Sequence, residues 1–157
     1  MGKHSPAPPH RKAALRAARS RAAAAPWWRA LPSPFGWALI MAGTAAGALI
    51  RWMLPAVIPA GGWIHGPTLV ANTVGSGLLA ALIHVATRFP GTTYIQDLRL
   101  LLGTGLCAGL TTYSSFALEV WRTGVSSIGA ALGYSALTFV AGGAAAALGW
   151  YVGGERA

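Results

Sequence analysis

Residues 103–119 read GTGLCAGLTTYSSFALE, and this stretch decides how the rest of the chain is understood. It lies within a long apolar segment, yet Thr111 to Phe116 is an unbroken run of hydroxylic and aromatic side chains, approached through Gly105 and Gly109. A single Ser or Thr in an apolar helix ordinarily bonds back to its own turn or joins two helices. A whole run of them after two glycines predicts a helix with a break. Backbone freed at membrane depth survives only where protein or a polar cavity satisfies it.

Working outward, the composition is that of a membrane protein. Of 157 residues, 54% are hydrophobic and 10% charged, against about 25% charged in a soluble domain. So few charges could hardly cover a water-facing surface. Four apolar spans are expected, at about 35–54, 67–88, 100–121 and 128–152, each near the ~20 residues a helix needs to cross hydrocarbon. A Pro- and Gly-containing loop (Pro55 to Gly66) joins the first two, and a polar connector, FPGTTYIQDLR, precedes the third. From Thr123 to Gly154 there is no Asp, Glu, Lys or Arg. The expected fold is an all-α integral membrane protein, with a four-helix transmembrane domain over 35–154. Gly43/Gly47, Gly105/Gly109, Gly129/Gly133 and Gly149/Gly153 repeat a small-xxx-small spacing that lets helices approach closely.

The net charge of +9 suggests a nucleic-acid partner until its distribution is read. Seven of the twelve Lys and Arg residues precede the first span, in an Ala-, Arg- and Pro-rich arm over 1–34 that is expected to be disordered. Basic residues beside a span set topology or contact anionic headgroups, and no folded basic module is present. The arm is a poor signal peptide, because no short apolar core directly follows its basic residues. Trp27-Trp28 fits an interfacial anchor. With both termini on the cytoplasmic side, ten basic residues stand there against two, Arg51 and Arg122, on the other. That bias predicts both termini inside.

Chemistry has little to work with. The acids are Asp97, Glu119 and Glu155, two of them at span edges or tails, and the histidines (His4, His10, His65, His84) form no metal pair at helical spacing. An enzyme is not expected. The lone Cys107 permits no internal disulfide and reads as a packing residue. What remains inside the membrane is polar and mostly uncharged: Thr68, Asn72, Thr73 and Ser76 on span two, and Thr104 with the Thr111–Phe116 run on span three. Thr68, Asn72 and Ser76 share one helix face.

These residues bring a resemblance into view. Residues 103–119 resemble the third-helix signature of the Fluc (CrcB) fluoride channels, roughly GxxGFCGGLTTFSTFSxE. GTAAGALIRW (43–52) resembles that family's first-helix GGxxGAxxRY, and TLVANTVGS (68–76) its second-helix GTLxxNxxGS. The likeness covers about residues 36–152. It implies a fluoride-specific channel exporting fluoride passively across the cytoplasmic membrane. It also implies an antiparallel, dual-topology dimer with two pores along the interface. On that resemblance Asn72 donates its side-chain amide to fluoride, Tyr113 and Phe116 occupy the aromatic pore positions, and Ser114 and Ser115 supply hydroxyls. Tyr134 and Thr138 line the path from span four. Arg51 either draws anions into a vestibule or snorkels to headgroups. A structural, untransported Na⁺ is implied at the dimer centre, on the carbonyls of Ala108 and Thr111. Tyr113, Ala108 and Ser115 stand where the pattern has Phe, Gly and Thr.

The strong inside-outside charge bias is at odds with two-way insertion, so the partner is a second copy or an oppositely oriented homologue. Two other readings compete with a channel. A small multidrug exporter needs an intramembrane acid, and span one has none. A non-conducting membrane assembly protein would use the glycines and hydroxyls only to pack.

Overall fold

A computed structural model of the chain describes residues 31–59, 61–89 and 91–154. The arm expected over 1–34 lies, up to residue 30, outside the described residues, as do Glu155 and Arg156. In hydrocarbon a backbone group without a partner costs several kcal/mol, so apolar segments close their hydrogen bonds within helices. Among the described residues four helical spans result: α1 (Pro34–Val57), α2 (Gly66–Arg88), a third span over Thr93–Ser126, and α6 (Ile128–Gly154). The third is composite, made of α3 (Thr93–Leu98), a wider π-helical stretch (Arg99–Cys107), α4 (Ala108–Leu110) and α5 (Tyr113–Ser126).

Two boundaries differ from those expected. Helix α1 runs through Pro55 to Val57 instead of ending near Leu54. A proline deletes one helical hydrogen bond, and Ile58 N–H still reaches the Leu54 carbonyl at 2.8 Å to close the turn. The third span begins at Thr93 and ends at Ser126, well outside 100–121. Hydropathy marks the part suited to hydrocarbon, whereas Gln, Leu and Arg at its ends are good helix formers in water too.

Small residues decide which helices touch. A Cβ on Gly43 would fall on the Leu101 carbonyl, and one on Gly109 on the Thr44 carbonyl. Helix α1 and the third span therefore run side by side and in the same direction, at backbone contact. Gly149 meets the backbone of Gly77, and Gly153 lies against Ala81, which presses α6 onto α2 in the same way. The Gly129/Gly133 pair does not join two helices. Gly133 faces the indole of Trp63, and Gly129 meets only its neighbour Ser127 at ordinary contact distance.

Few side chains are buried: chiefly Ala71, Cys107, Leu110, Phe116, Ala131 and Tyr134. The outer surface is apolar, with Met41, Leu132, Phe139 and Val140 exposed, as a lipid-facing or subunit-facing surface requires. Trp52, Trp121, Tyr94 and Tyr151 stand exposed toward span ends, where amphipathic rings favour the headgroup level.

Candidate functional site

The site is built where α2 crosses the third span. Thr111 and Thr112 are extended, at φ −75°, ψ 154° and φ −150°, ψ 128°, between the end of α4 and the start of α5. Asn72 of α2 meets this step with both ends of its amide. Its Nδ2 donates to the Thr112 carbonyl at 3.0 Å, and its Oδ1 accepts from Thr112 N–H at 2.8 Å. Thr112 in turn caps α5, its Oγ1 accepting from Ser115 N–H at 3.2 Å. Thr and Ser suit this position because a short hydroxyl reaches the orphan N–H groups of a helix start.

Two carbonyls are released as a consequence. In an unbroken helix Thr112 N–H would serve Ala108 and Ser115 N–H would serve Thr111. Both donors are turned elsewhere, to Asn72 and to the Thr112 hydroxyl. The Thr111 carbonyl receives only a long contact from Arg51 Nη1, at 3.5 Å. Ala108 is exposed. Carbonyl oxygens of this kind are the donors a hard cation takes.

An open groove of about 900 Å³ runs along this face, its wall including Asn72, Ser76, Thr104, Thr111, Phe116 and Thr138. Ala108 and Tyr113 also line it. Phe116 is the hub of its aromatic end. Its ring centroid lies 6.2 Å from Tyr113, 5.6 Å from Tyr134 and 5.8 Å, edge to face, from Phe139. Tyr113 is 78% exposed and so projects away from its own subunit's packing.

Four of the expected residues stand apart from the groove wall. Arg51 approaches the Thr111 carbonyl from the α1 side. Ser115 is engaged in the cap, accepting from the Thr112 hydroxyl at 3.2 Å, while Ser114 is exposed with its hydroxyl 3.3 Å from the same oxygen. Tyr134 is fully buried behind Phe116.

Tyr134 belongs to a second polar cluster that the sequence reading did not assemble. Its hydroxyl donates to Glu119 Oε2 at 2.8 Å, and Thr68 Oγ1 donates to Glu119 Oε1 at 2.6 Å. His65 stands edge-on to the Tyr134 ring and contacts the Thr123 hydroxyl at 3.2 Å. Thr138 Oγ1 bonds back to the Tyr134 carbonyl. A span ending at 121 puts Glu119 two residues from its end. The helix continues to Ser126, so an acid seven residues inside needed partners. The Thr112-x-x-Ser115 cap spacing was also available in the sequence.

Among the described residues no group of three or more His, Cys, Asp or Glu could hold a metal ion. What the arrangement offers an ion is amide and hydroxyl hydrogens, ring edges and free carbonyls.

A family model described as CrcB-like protein, Camphor Resistance (CrcB), matches residues 38–150. The chain is 38% identical over 113 residues to a Halobacterium salinarum protein named fluoride-specific ion channel FluC 1, covering 71% of this chain and 88% of that one. It is 37% identical over 109 residues to fluoride-specific ion channel FluC 2 of Leifsonia xyli, covering 68% and 75%. To the FluC channel of Pseudomonas aeruginosa it is 40% identical over 94 residues, covering 54% and 68%.

Proposed function

The chain belongs to the CrcB-like protein family, and from that membership we propose that it is a fluoride-specific ion channel, a passive exporter and not an enzyme. The observation that carries the reading is the groove: a largely apolar wall that carries Asn72, Ser76, Thr104, Thr111 and Thr138 together with the rings of Tyr113 and Phe116, and no carboxylate among its described residues. Fluoride is small and strongly hydrated. A pathway must replace its water with close donors and must not hold it so tightly that it stays. Amide and hydroxyl hydrogens meet both demands, and the positive edge of an aromatic ring adds a weaker third.

Within this reading the third span is broken at Thr111–Thr112, which the extended backbone of those residues supports. Asn72 has one amide hydrogen to spare after serving Thr112, and that hydrogen faces the ion. Phe116 and the outward Tyr113 form the aromatic part of the path, with Thr138 beside them. Ser114 and Ser115 contribute through the cap. Tyr134 acts from behind Phe116, and Arg51 draws anions toward the Thr111 step from the α1 side.

Two antiparallel subunits complete the pore, the second being another copy of this chain or an oppositely oriented homologue. The exposed Tyr113 and the open groove support a partner on that face. The released carbonyls of Ala108 and Thr111, two from each subunit, would hold a structural Na⁺. That ion would supply fixed positive charge where four carbonyl dipoles converge. The channel resides in the cytoplasmic membrane with both termini inside, as its basic-residue bias favours.

Efflux of fluoride from proteoliposomes tests the proposal. Rapid loss that chloride cannot replace is the expected result. Vesicles that keep their fluoride, with and without a co-expressed homologue, would refute it.

A further inference from the structure

We propose that Arg99 recruits anions at the end of the groove that lies away from its own subunit's Arg51. The inference rests on the fluoride-channel reading and adds to it a residue which that reading leaves unused.

Arg99 opens the π-helical stretch and lines the same groove as Thr104, Thr111 and Asn72. It is the single charged side chain on that wall among the described residues. Its stem passes over Gly103, where an added Cβ would come 3.7 Å from Arg99 Cγ, so the side chain lies along the groove. The residue is exposed, and among the described residues no hydrogen bond or ion pair engages its guanidinium.

The direction of the helices separates this charge from Arg51. Helix α1 and the third span run the same way, with Gly43 beside Leu101 and Gly109 beside Thr44. Arg51 reaches Thr111. Arg99 lies a dozen positions earlier, which is roughly 18 Å at the α-helical rise per residue. Screening in physiological salt sets in at about 8 Å, so within one subunit Arg51 and Arg99 act at separate ends, and an antiparallel pair of copies sets one of each at either mouth.

Hydroxyls and amides bind fluoride only after its water is shed. A fixed charge at the mouth acts earlier, on the hydrated ion, and a low-dielectric groove focuses its field. Placed at the rim and not at depth, it raises local concentration without trapping the ion. The other role open to such an arginine is to reach for lipid headgroups, and the two differ in what they make salt-dependent.

The test uses the full-length protein in vesicles of neutral lipid, comparing wild type with Arg99→Lys, Arg99→Gln and Arg99→Glu. At low fluoride and low ionic strength Arg99→Gln should slow efflux about threefold to tenfold and Arg99→Glu further, while Arg99→Lys stays near wild type. Adding an impermeant salt to about 0.5 M should bring all four together. The wild type alone should slow with salt more steeply than Arg99→Gln, a comparison that does not depend on how much of each variant assembles. Equal rates for wild type and Arg99→Gln overturn the inference, as does Arg99→Lys failing as badly as Arg99→Gln, or a deficit that persists in high salt. A wild type that conducts nothing defeats the channel reading instead.

Discussion

Asn72 holds Thr112 by both ends of its amide, donating to the carbonyl at 3.0 Å and accepting from the N–H at 2.8 Å, across forty positions of sequence. The pair gives the Thr112 N–H the partner it loses where the helix stops, and adds a donor to the carbonyl that opens α5. Asn72 is thus a structural clamp on the third span, and any part it takes in conduction comes with that task.

Asn72→Asp keeps the acceptor and loses the donor, and it sets a carboxylate against the Thr112 carbonyl. The cost should be about 1–3 kcal/mol, as for an unsatisfied partly buried acceptor. The melting temperature in detergent should fall and fluoride efflux should drop about tenfold or more. A variant as stable and as fast as wild type would show that the clamp is dispensable.

Thr112→Val preserves shape and removes the capping hydroxyl from Ser115 N–H. The loss should be about 1 kcal/mol, in the range for a helix N-cap. Thr112→Ser should recover most of it. Thermal unfolding of the two variants side by side checks the assignment.

Tyr134→Phe leaves Glu119 Oε2 without its donor while Thr68 still serves Oε1. Stability should fall by about 1–3 kcal/mol. In the double variant Tyr134→Phe with Glu119→Gln the further loss should be smaller than the sum of the single losses, because the two groups are partners. Additive losses would show that they act independently.

Gly109→Ala should prevent assembly of a stable protein, since the new methyl meets the Thr44 carbonyl, which is backbone and cannot swing away. Gly129→Ala, with only ordinary contact to Ser127, should be silent. Size-exclusion profiles of the two distinguish a close helix crossing from a general intolerance of bulk.

The C-terminus should report mainly from the cytoplasm when fused to compartment-sensitive tags, given ten basic residues against two. Equal signal from both sides would mean that the distal arm contributes nothing to topology.

Much of this molecule was legible before any coordinates. Apolar length and the absence of charge over 123–154 required helices, because hydrocarbon offers the backbone no other partner. The run Thr111–Phe116 marked the place where the third span carries its polar step. The glycine spacings named helix faces made for close approach, although Gly129/Gly133 shows that spacing alone does not choose a neighbour.

Tertiary structure decided who meets whom. Glu119 looked like an edge residue until packing brought Thr68, fifty-one positions away, to one of its oxygens and Tyr134 to the other. Asn72 read as a donor to a passing ion, and the crossing of α2 over the third span gave it Thr112 first. The reason is physical. Burial in hydrocarbon acts on each segment by its own composition, so it can be read along the chain. Hydrogen bonds between distant side chains depend on where small residues let the backbones touch, and that is settled only when the helices pack.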